Sequence, residues 1–70
     1  MKYAVVIEKT ESNYSAYVPD LPGCIATAKT ISAVESAIRD AIEFHIEGMK
    51  QGGETVPEPS SAVEYVEVAA

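Results

Sequence analysis

The sequence predicts a small α+β domain with the order β-β-β-α-β, in which one amphipathic helix packs on an antiparallel-dominated sheet. Residues 2–28 contain three short runs of β-branched, aromatic or small side chains separated by turn-forming residues, a pattern typical of strands. After Thr30 the apolar residues follow the period of a helix. A final run, 62–68, returns to the strand pattern. Seventy residues suffice for one domain, so we expect a single domain over 1–70.

The first two predicted strands form a hairpin. Residues 2–9, KYAVVIEK, are rich in β-branched and aromatic side chains, and residues 14–18, YSAYV, alternate between two faces. The intervening TESN, 10–13, is a polar turn without the Asn-Gly pair of the tightest hairpins. The first strand presents three apolar side chains on one face: Tyr3, Val5 and Ile7.

The connection between the second and third strands, VPDLPGC, is dense in special residues. A proline ends the second strand, because it has no amide hydrogen for the ladder. Asp20 is suited to accept backbone hydrogen bonds, and Gly23 to adopt the positive φ that the turn needs. Leu21, between two prolines, is free to fill an apolar gap or to be held out for a partner. We interpret the stretch as a rigid corner, followed by a short third strand over 24–28.

An amphipathic helix of about five turns is predicted after the third strand, with apolar side chains on one arc and charged side chains on the other. Thr30 or Ser32 is suited to be the N-cap, the latter in a capping box with Glu35. Gly52 and Gly53 end the helix, because glycine accepts the left-handed conformation found there. The apolar arc consists of Val34, Ala37, Ile38, Ala41, Ile42, His45 and Met49.

The segment after the helix, 54–61, contains two prolines and is expected to run extended over the surface. Residues 62–68, AVEYVEV, are predicted to form the last strand. A single helix covers only one face of the sheet, and an exposed apolar sheet face usually contacts another chain. Because a chain of this size also has a marginal core of its own, we expect a homo-oligomer, either a dimer or a tetramer.

Composition and charge exclude several classes of protein. The apolar run in MKYAVVIEK is too short for a signal peptide, and nothing approaches the roughly 18 apolar residues of a membrane span. A single cysteine fits a reducing compartment, so we expect a cytoplasmic protein. Eleven acidic against five basic residues give a net charge of -6. This charge repels nucleic acid and favours a basic protein as partner, although a role in solubility alone also explains it.

The first candidate for chemistry is Cys24, as a nucleophile paired with His45. A reactive thiol needs a depressed pKa and a neighbouring base, yet the residues around Cys24 supply neither. His45 falls on the apolar arc of the helix and is expected to point into the sheet. We interpret Cys24 as a small core residue and His45 as a core histidine with one hydrogen-bond partner. A thiol enzyme is the least favoured alternative.

Carboxylates form the second candidate site. Asp40, Glu43 and Glu47 lie on the polar side of the helix, and we call these three residues the acidic ridge. Such a ridge is suited to a basic partner, although an ordinary solvated helix face also explains it. No glycine-rich phosphate cradle, zinc-ligand spacing or set of carboxylates for a two-metal site is recognisable. We therefore expect no catalytic residue, metal or cofactor.

Three motifs are spaced along nearly the whole chain: YSAYVPDLPGC (14–24), AIEFHIEG (41–48) and GETVPEPS (53–60). Each is weak alone, but in this combined spacing they resemble the HicB family of antitoxins, specifically its N-terminal HicB-like domain. The resemblance implies a β-β-β-α-β domain similar to a truncated RNase H fold. It also implies a bacterial or archaeal type II toxin–antitoxin system, in which the antitoxin blocks HicA, a small basic mRNA-cleaving toxin.

By this resemblance the chain is an interaction protein, not an enzyme, that neutralises a basic HicA-like toxin. We expect the partner to contact the corner and the acidic ridge, through Asp20, Leu21, Asp40, Glu43 and Glu47.

Many family members carry a C-terminal helix-turn-helix or ribbon-helix-helix domain that binds the operator. This sequence stops at Ala70, directly after its last predicted strand, so we expect no C-terminal DNA-binding domain and no direct nucleic-acid binding from this chain. The alternative function is a stand-alone oligomeric HicB-like module without a toxin partner, acting through self-association or an unknown protein.

Overall fold

In the computed structural model of the chain, which describes residues 1–69, three strands precede one helix. The strands form one antiparallel sheet in the order β1-β2-β3. The predicted α+β class, with a helix on an antiparallel sheet, is confirmed. The elements are β1 (Val6–Lys9), β2 (Tyr14–Tyr17), β3 (Ile25–Ala28) and α1 (Ile31–Gln51).

The register of the sheet decides which side chains share a face. Ala16 of β2 is 1% exposed and lies on the face that α1 covers. The next residue, Tyr17, points to the opposite face and is paired with Val6 on one side and Ile25 on the other. Ile25 is 69% exposed. Within residues 1–69 the prediction that one sheet face lacks a cover is therefore confirmed.

The core lies between α1 and the half of the sheet formed by β2 and β3, against which the helix packs. Three of its buried residues, Val18, Leu21 and Cys24, come from the connection between these strands. The corner therefore contributes three side chains to the core, while Pro19, Pro22 and Gly23 are exposed. The buried side chains are Ala16, Val18, Leu21, Cys24, Val34 and Ile38.

Both ends of α1 follow from local chemistry. The side-chain oxygen of Thr30 accepts a hydrogen bond from the Ala33 amide over 3.0 Å, which makes Thr30 and not Ser32 the N-cap. At the other end Gly53 has a φ of 72°, and its amide donates to the Lys50 carbonyl over 3.1 Å. A left-handed glycine in this position satisfies the last helical carbonyls. The predicted glycine terminator is confirmed.

The last strand predicted over 62–68 is wrong for the single chain, because residues 62–69, which we call the tail, pair with no strand. The preceding residues explain this, since Ser60 and Ser61 are hydrogen-bonded to Asp20 and fix the chain at the corner. The radius of gyration is 13.7 Å, against about 11 Å for a compact chain of this length. Exposure of the large apolar tail side chains is 52% for Val63, 94% for Tyr65, 79% for Val66 and 74% for Val68.

Candidate partner-binding site

The helix is longer than the sheet beneath it. The 21 residues of α1 span about 31 Å, whereas a strand of 4 residues spans about 13 Å. The two buried helix residues, Val34 and Ile38, both lie in its first half. His45 lies in the second half and is only half-buried. The interpretation of His45 as a core histidine is therefore wrong, because the sheet does not extend far enough to enclose it.

The solvent side of α1 carries the acidic ridge. Asp40, Glu43 and Glu47 are all exposed, as the helical pattern predicts. Successive members are three or four residues apart, a spacing that places them along one stripe of the helix surface. The Glu47 carboxylate accepts a hydrogen bond from the Gln51 amide group over 3.4 Å. The second half of the helix thus presents a row of negative charge to solvent.

An aromatic side chain stands within this row. Phe44, the single phenylalanine of the chain, is 83% exposed. It follows Asp40 by four residues and precedes Glu47 by three, so carboxylates flank its ring. An exposed aromatic side chain within a polar rim is the arrangement of an interface anchor. Sequence reasoning missed Phe44, although its position outside the apolar arc of the helix is a signal that identifies it.

Gly48 lies one turn beyond Phe44 on the same side of the helix. A Cβ atom added at Gly48 would meet no heavy atom within 4 Å. The absence of a side chain is therefore not required by packing inside the described part of the chain. Its effect is to leave the helix surface bare beside the phenylalanine ring, where a partner side chain has room to approach.

Asp20 holds the segment that follows the helix. Its Oδ2 accepts hydrogen bonds from the amides of Ser60 and Ser61 over 2.9 and 3.0 Å. Its Oδ1 accepts from the hydroxyl groups of the same two serines over 3.1 and 2.7 Å. The donors, the Ser61 amide first among them, lower the pKa of Asp20 from 3.8 to about 2, because they stabilise the carboxylate. Asp20 thus fastens two parts of the chain, and its contact with a partner stays a prediction.

Leu21 is fully buried, with an exposure of 0%. Two consecutive turns fold it inward: the Leu21 amide donates to the Val18 carbonyl, and the Cys24 amide donates to the Leu21 carbonyl, each over 3.1 Å. Gly23 has a φ of 83°, as the corner was predicted to require. The expectation that Leu21 is held out for a partner is wrong, because its side chain fills the apolar gap under the corner.

The arrangement around Cys24 does not favour thiol chemistry. Cys24 is 3% exposed, and burial raises the pKa of its thiol, whereas a nucleophile needs a lowered pKa. The interpretation of Cys24 as a core residue is confirmed. Over residues 1–69, no three His, Cys, Asp or Glu side chains come close enough together to hold a metal ion. In the same part of the chain no helix has the length and apolarity needed to cross a bilayer.

Comparison with solved structures finds a similar fold in a known assembly. A chain of the HicA3 and HicB3 toxin–antitoxin complex superposes with a TM-score of 0.74 and 28% sequence identity. The superposition covers 86% of this chain and 70% of that chain.

Relatives of similar sequence occur in a phage and in archaea. A 14.9 kDa protein from the rep-hol intergenic region of Haemophilus phage HP1 is 38% identical over 66 residues, which cover 94% of this chain and 50% of the phage protein. This chain thus spans half the length of that relative. A UPF0150 protein of Thermoplasma acidophilum is 41% identical over 81% of this chain and 84% of its own length. A UPF0150 protein of Archaeoglobus fulgidus is 43% identical over 71% of this chain and 74% of its own length.

A family profile gives the assignment. The profile of the HicB-like antitoxin of bacterial toxin–antitoxin systems matches residues 3–69, which include the corner, the helix and the serines that bind Asp20. The match covers all three motifs on which the resemblance rests. The chain therefore belongs to the HicB-like antitoxin family.

Proposed function

We propose that this chain binds and neutralises a small, basic, HicA-like RNA-cleaving protein by covering its cationic surface. The observation that carries the proposal is the exposed acidic ridge with Phe44 at its centre. Membership of the antitoxin family and the likeness to a chain of the HicA3 and HicB3 complex support the toxin–antitoxin setting.

Charge supports a basic partner. The chain carries a net charge of -6, and three of its carboxylates stand in the ridge. A protein that cleaves RNA attracts phosphate groups with Lys and Arg side chains. The ridge carboxylates compete for the same cationic groups, and complementary charge accelerates the encounter of the two proteins.

Phe44 supplies the contact that charge alone does not. Exposed ion pairs contribute only about 0–1 kcal/mol each, so three carboxylates direct the encounter more than they hold the complex together. An aromatic anchor in an interface contributes about 2 kcal/mol or more when it enters a pocket of the partner. We therefore assign the affinity chiefly to Phe44 and the orientation to Asp40, Glu43 and Glu47.

The proposed mechanism is occlusion and needs no catalytic residue in this chain. Asp20 is a second proposed contact region, separate from the helix. Leu21 is not part of the proposal, because its side chain is buried.

The experiment measures binding between this chain and the product of an adjacent reading frame that encodes a small basic protein. Isothermal titration calorimetry is performed at two salt concentrations, with cleavage of a labelled RNA as a second readout. Phe44→Ala is expected to weaken binding by about 30-fold, which corresponds to about 2 kcal/mol. The triple variant Asp40→Asn, Glu43→Gln, Glu47→Gln is expected to slow association and to flatten its salt dependence.

A matched control changes the same number of charges elsewhere. The control variant removes three exposed carboxylates that lie outside the ridge, through Glu11→Gln, Glu54→Gln and Glu58→Gln. This control is expected to bind more tightly than the ridge variant. If the two triple variants and Phe44→Ala all bind the partner with the same affinity, the proposed surface is contradicted. If the unaltered chain does not bind, the proposed function is contradicted.

The second candidate function is a stand-alone module that acts through self-association or an unknown protein. The observation that favours it is the apolar row on the uncovered sheet face, where Tyr17 is 41% and Ile25 is 69% exposed. A stable oligomer that binds no HicA-like protein would support this alternative over toxin binding.

A further inference from the structure

An open groove runs along the outer flank of β1, between this strand and α1. Its volume is 540 Å³. The helix packs against β2 and β3, which leaves the β1 side of the sheet less covered. Apolar side chains line the groove from residues 3–9, which we call the β1 run (Tyr3, Val5 and Ile7), from the helix (Ile38, Ile42 and Ile46) and from Met1. Charged helix residues line it as well, among them Glu43 of the acidic ridge.

The groove lies beside an unpaired strand edge. Within residues 1–69, β1 is hydrogen-bonded to β2 alone, so its other side presents free amide and carbonyl groups. The β1 run contains no proline, and its charged residues, Glu8 and Lys9, stand together at its C-terminal end. The paired part of β1 is short, with four residues, but residues 3–7 before the two charges are apolar or aromatic. An unpaired apolar edge of this kind is a template for pairing with another strand. The edge and the groove together have the shape that one additional strand would fill.

The tail has the properties of that strand. Residues 62–68 are rich in β-branched and aromatic side chains and pair with nothing in the single chain. Seven residues extend over about 23 Å, the same length as the run 3–9. Each side of such a strand carries apolar side chains and one glutamate, with Tyr65 and Glu67 on one side and Val66 and Glu64 on the other. A strand at this edge needs apolar side chains on both of its sides, because one side faces the groove and the other continues the uncovered sheet face.

The tail of each chain does not line its own groove, and its large apolar side chains are 52–94% exposed. The chain passes the start of the β1 run at Pro57, whose carbonyl accepts a hydrogen bond from the Tyr3 hydroxyl. It is then fastened to Asp20, beyond the end of β2, by Ser60 and Ser61. The segment before the tail thus lies at the end of the sheet where the corner meets the start of the β1 run.

We propose that two copies of this chain exchange tails, so that residues 62–68 of each copy add as a strand to the β1 edge of the other. The strand that the sequence predicts over 62–68 then forms in the sheet of the second copy. A two-fold exchange fills two grooves and pairs two edges with backbone hydrogen bonds. The inference rests on the proposed self-association.

The first experiment compares molar masses by light scattering coupled to size-exclusion chromatography. The full chain is expected to be a dimer or a multiple of one, and a chain truncated after Ser61 is expected to be a monomer. The double variant Tyr65→Ser, Val66→Ser keeps the length of the tail. We expect it to be a monomer, as the truncated chain is. Glu64→Gln with Glu67→Gln, a matched change at polar tail positions, is expected to leave the oligomer intact.

The outcomes separate exchange from self-association in general. A monomeric full chain would contradict both ideas. An oligomer of unchanged mass after truncation would leave self-association standing and overturn the exchange. Circular dichroism of each variant shows whether the helix is retained, and a folded monomer after truncation is the result that supports exchange.

The second experiment asks whose groove the tail occupies. In a Cys24→Ala background, a heavy-isotope chain with Ala4→Cys is mixed with a light chain with Val66→Cys, and both are treated with a short bis-maleimide. A linked heavy–light pair is expected. In the control, Ser12→Cys, in the turn at the far end of β1, replaces Ala4→Cys, and the yield of linked pair is expected to be much lower. Yields no higher than this control would overturn the exchange. A single chain that carries both Ala4→Cys and Val66→Cys tests the opposite outcome. Links formed only within single chains would show that each tail pairs with its own sheet and would also overturn the exchange.

Discussion

Asp20 and Ser61, 41 residues apart in the chain, are joined by two hydrogen bonds. The Ser61 amide donates to Oδ2 over 3.0 Å and the Ser61 hydroxyl donates to Oδ1 over 2.7 Å. Asp20 belongs to the corner motif, and the serines follow at the end of the GETVPEPS motif and directly after it. One motif supplies the acceptor and the other the donors. This pairing is a physical reason for the two motifs to occur together in one sequence.

The amide chemical shifts of Ser60 and Ser61 are expected to titrate with Asp20 at a pKa of about 2. Because this pKa lies below the ordinary value of 3.8, the ionised carboxylate stabilises the folded chain at pH values above about 4. The stabilisation is lost as the pH falls from 3.8 through 2. Two-dimensional NMR of the backbone amides across this range measures the midpoint.

The control for this titration removes the carboxylate. Asp20→Asn is expected to abolish the transition and to speed hydrogen exchange of the Ser60 and Ser61 amides. Glu58→Gln, a matched change at an exposed neighbour, is expected to leave both unchanged. A midpoint near 4 in the unaltered chain would show that the two serines do not bind Asp20 in solution.

Leu21→Ala is expected to destabilise the fold by about 2–5 kcal/mol, because it removes a fully buried side chain and leaves a cavity. A small domain has about 5–15 kcal/mol of total stability, so a large share of it would be lost. Urea unfolding followed by circular dichroism measures the change. Pro22→Ala, at the exposed neighbouring position, is the control with a small expected effect. Equal effects would place Leu21 at the surface.

Local patterns predicted the elements whose determinants are local. The hairpin, the helix and its glycine terminator depend on residues close in sequence, and the structure contains all of them. The choice between Thr30 and Ser32 as N-cap was left open, because both residue types are suited to that position. The geometry of the Thr30 side chain settles it.

The features that sequence reasoning placed wrongly depend on contacts distant in sequence. An apolar Leu21 between prolines is compatible with burial and with exposure. Only packing against the helix decides whether its side chain is buried. The half-burial of His45 follows from the length of α1 relative to the strands, which a helical wheel does not contain. A strand pattern over 62–68 does not specify which edge it pairs with, and in the single chain these residues pair with no strand although Ser60 and Ser61 are fixed to Asp20.

Gly48→Ala is expected to raise the free energy of unfolding by about 0.5–1 kcal/mol. Alanine favours the helical conformation over glycine, and the new Cβ meets no atom of the chain. Gly23→Ala is the matched contrast, since a φ of 83° is unfavourable for alanine and a loss of about 1–2 kcal/mol is expected. Thermal unfolding measures both variants. Stabilisation by Gly23→Ala, or loss of stability by Gly48→Ala, would contradict the backbone geometry at that position.

Thr30→Ala is expected to lower the free energy of unfolding by about 1 kcal/mol, because the Ala33 amide loses its side-chain acceptor. Ser32→Ala, two residues further on, removes a similar hydroxyl that does not cap the helix and is expected to change stability by a few tenths of a kcal/mol at most. Urea unfolding of both variants provides the comparison. A larger effect from Ser32→Ala would identify the capping box as the true start of the helix.

Alkylation of Cys24 by iodoacetamide is expected to be slow in the folded chain and to accelerate as urea unfolds it. Two effects of burial act in the same direction: the side chain is 3% exposed, and its raised pKa lowers the fraction of reactive thiolate. Mass spectrometry of samples quenched at successive times gives the rate at each urea concentration. Ser12→Cys in a Cys24→Ala background, at an exposed turn position, is the control and is expected to react at the same high rate with and without urea. If native Cys24 reacts as fast as this control, its thiol lies at the surface. A nucleophilic role for Cys24 is then again a candidate.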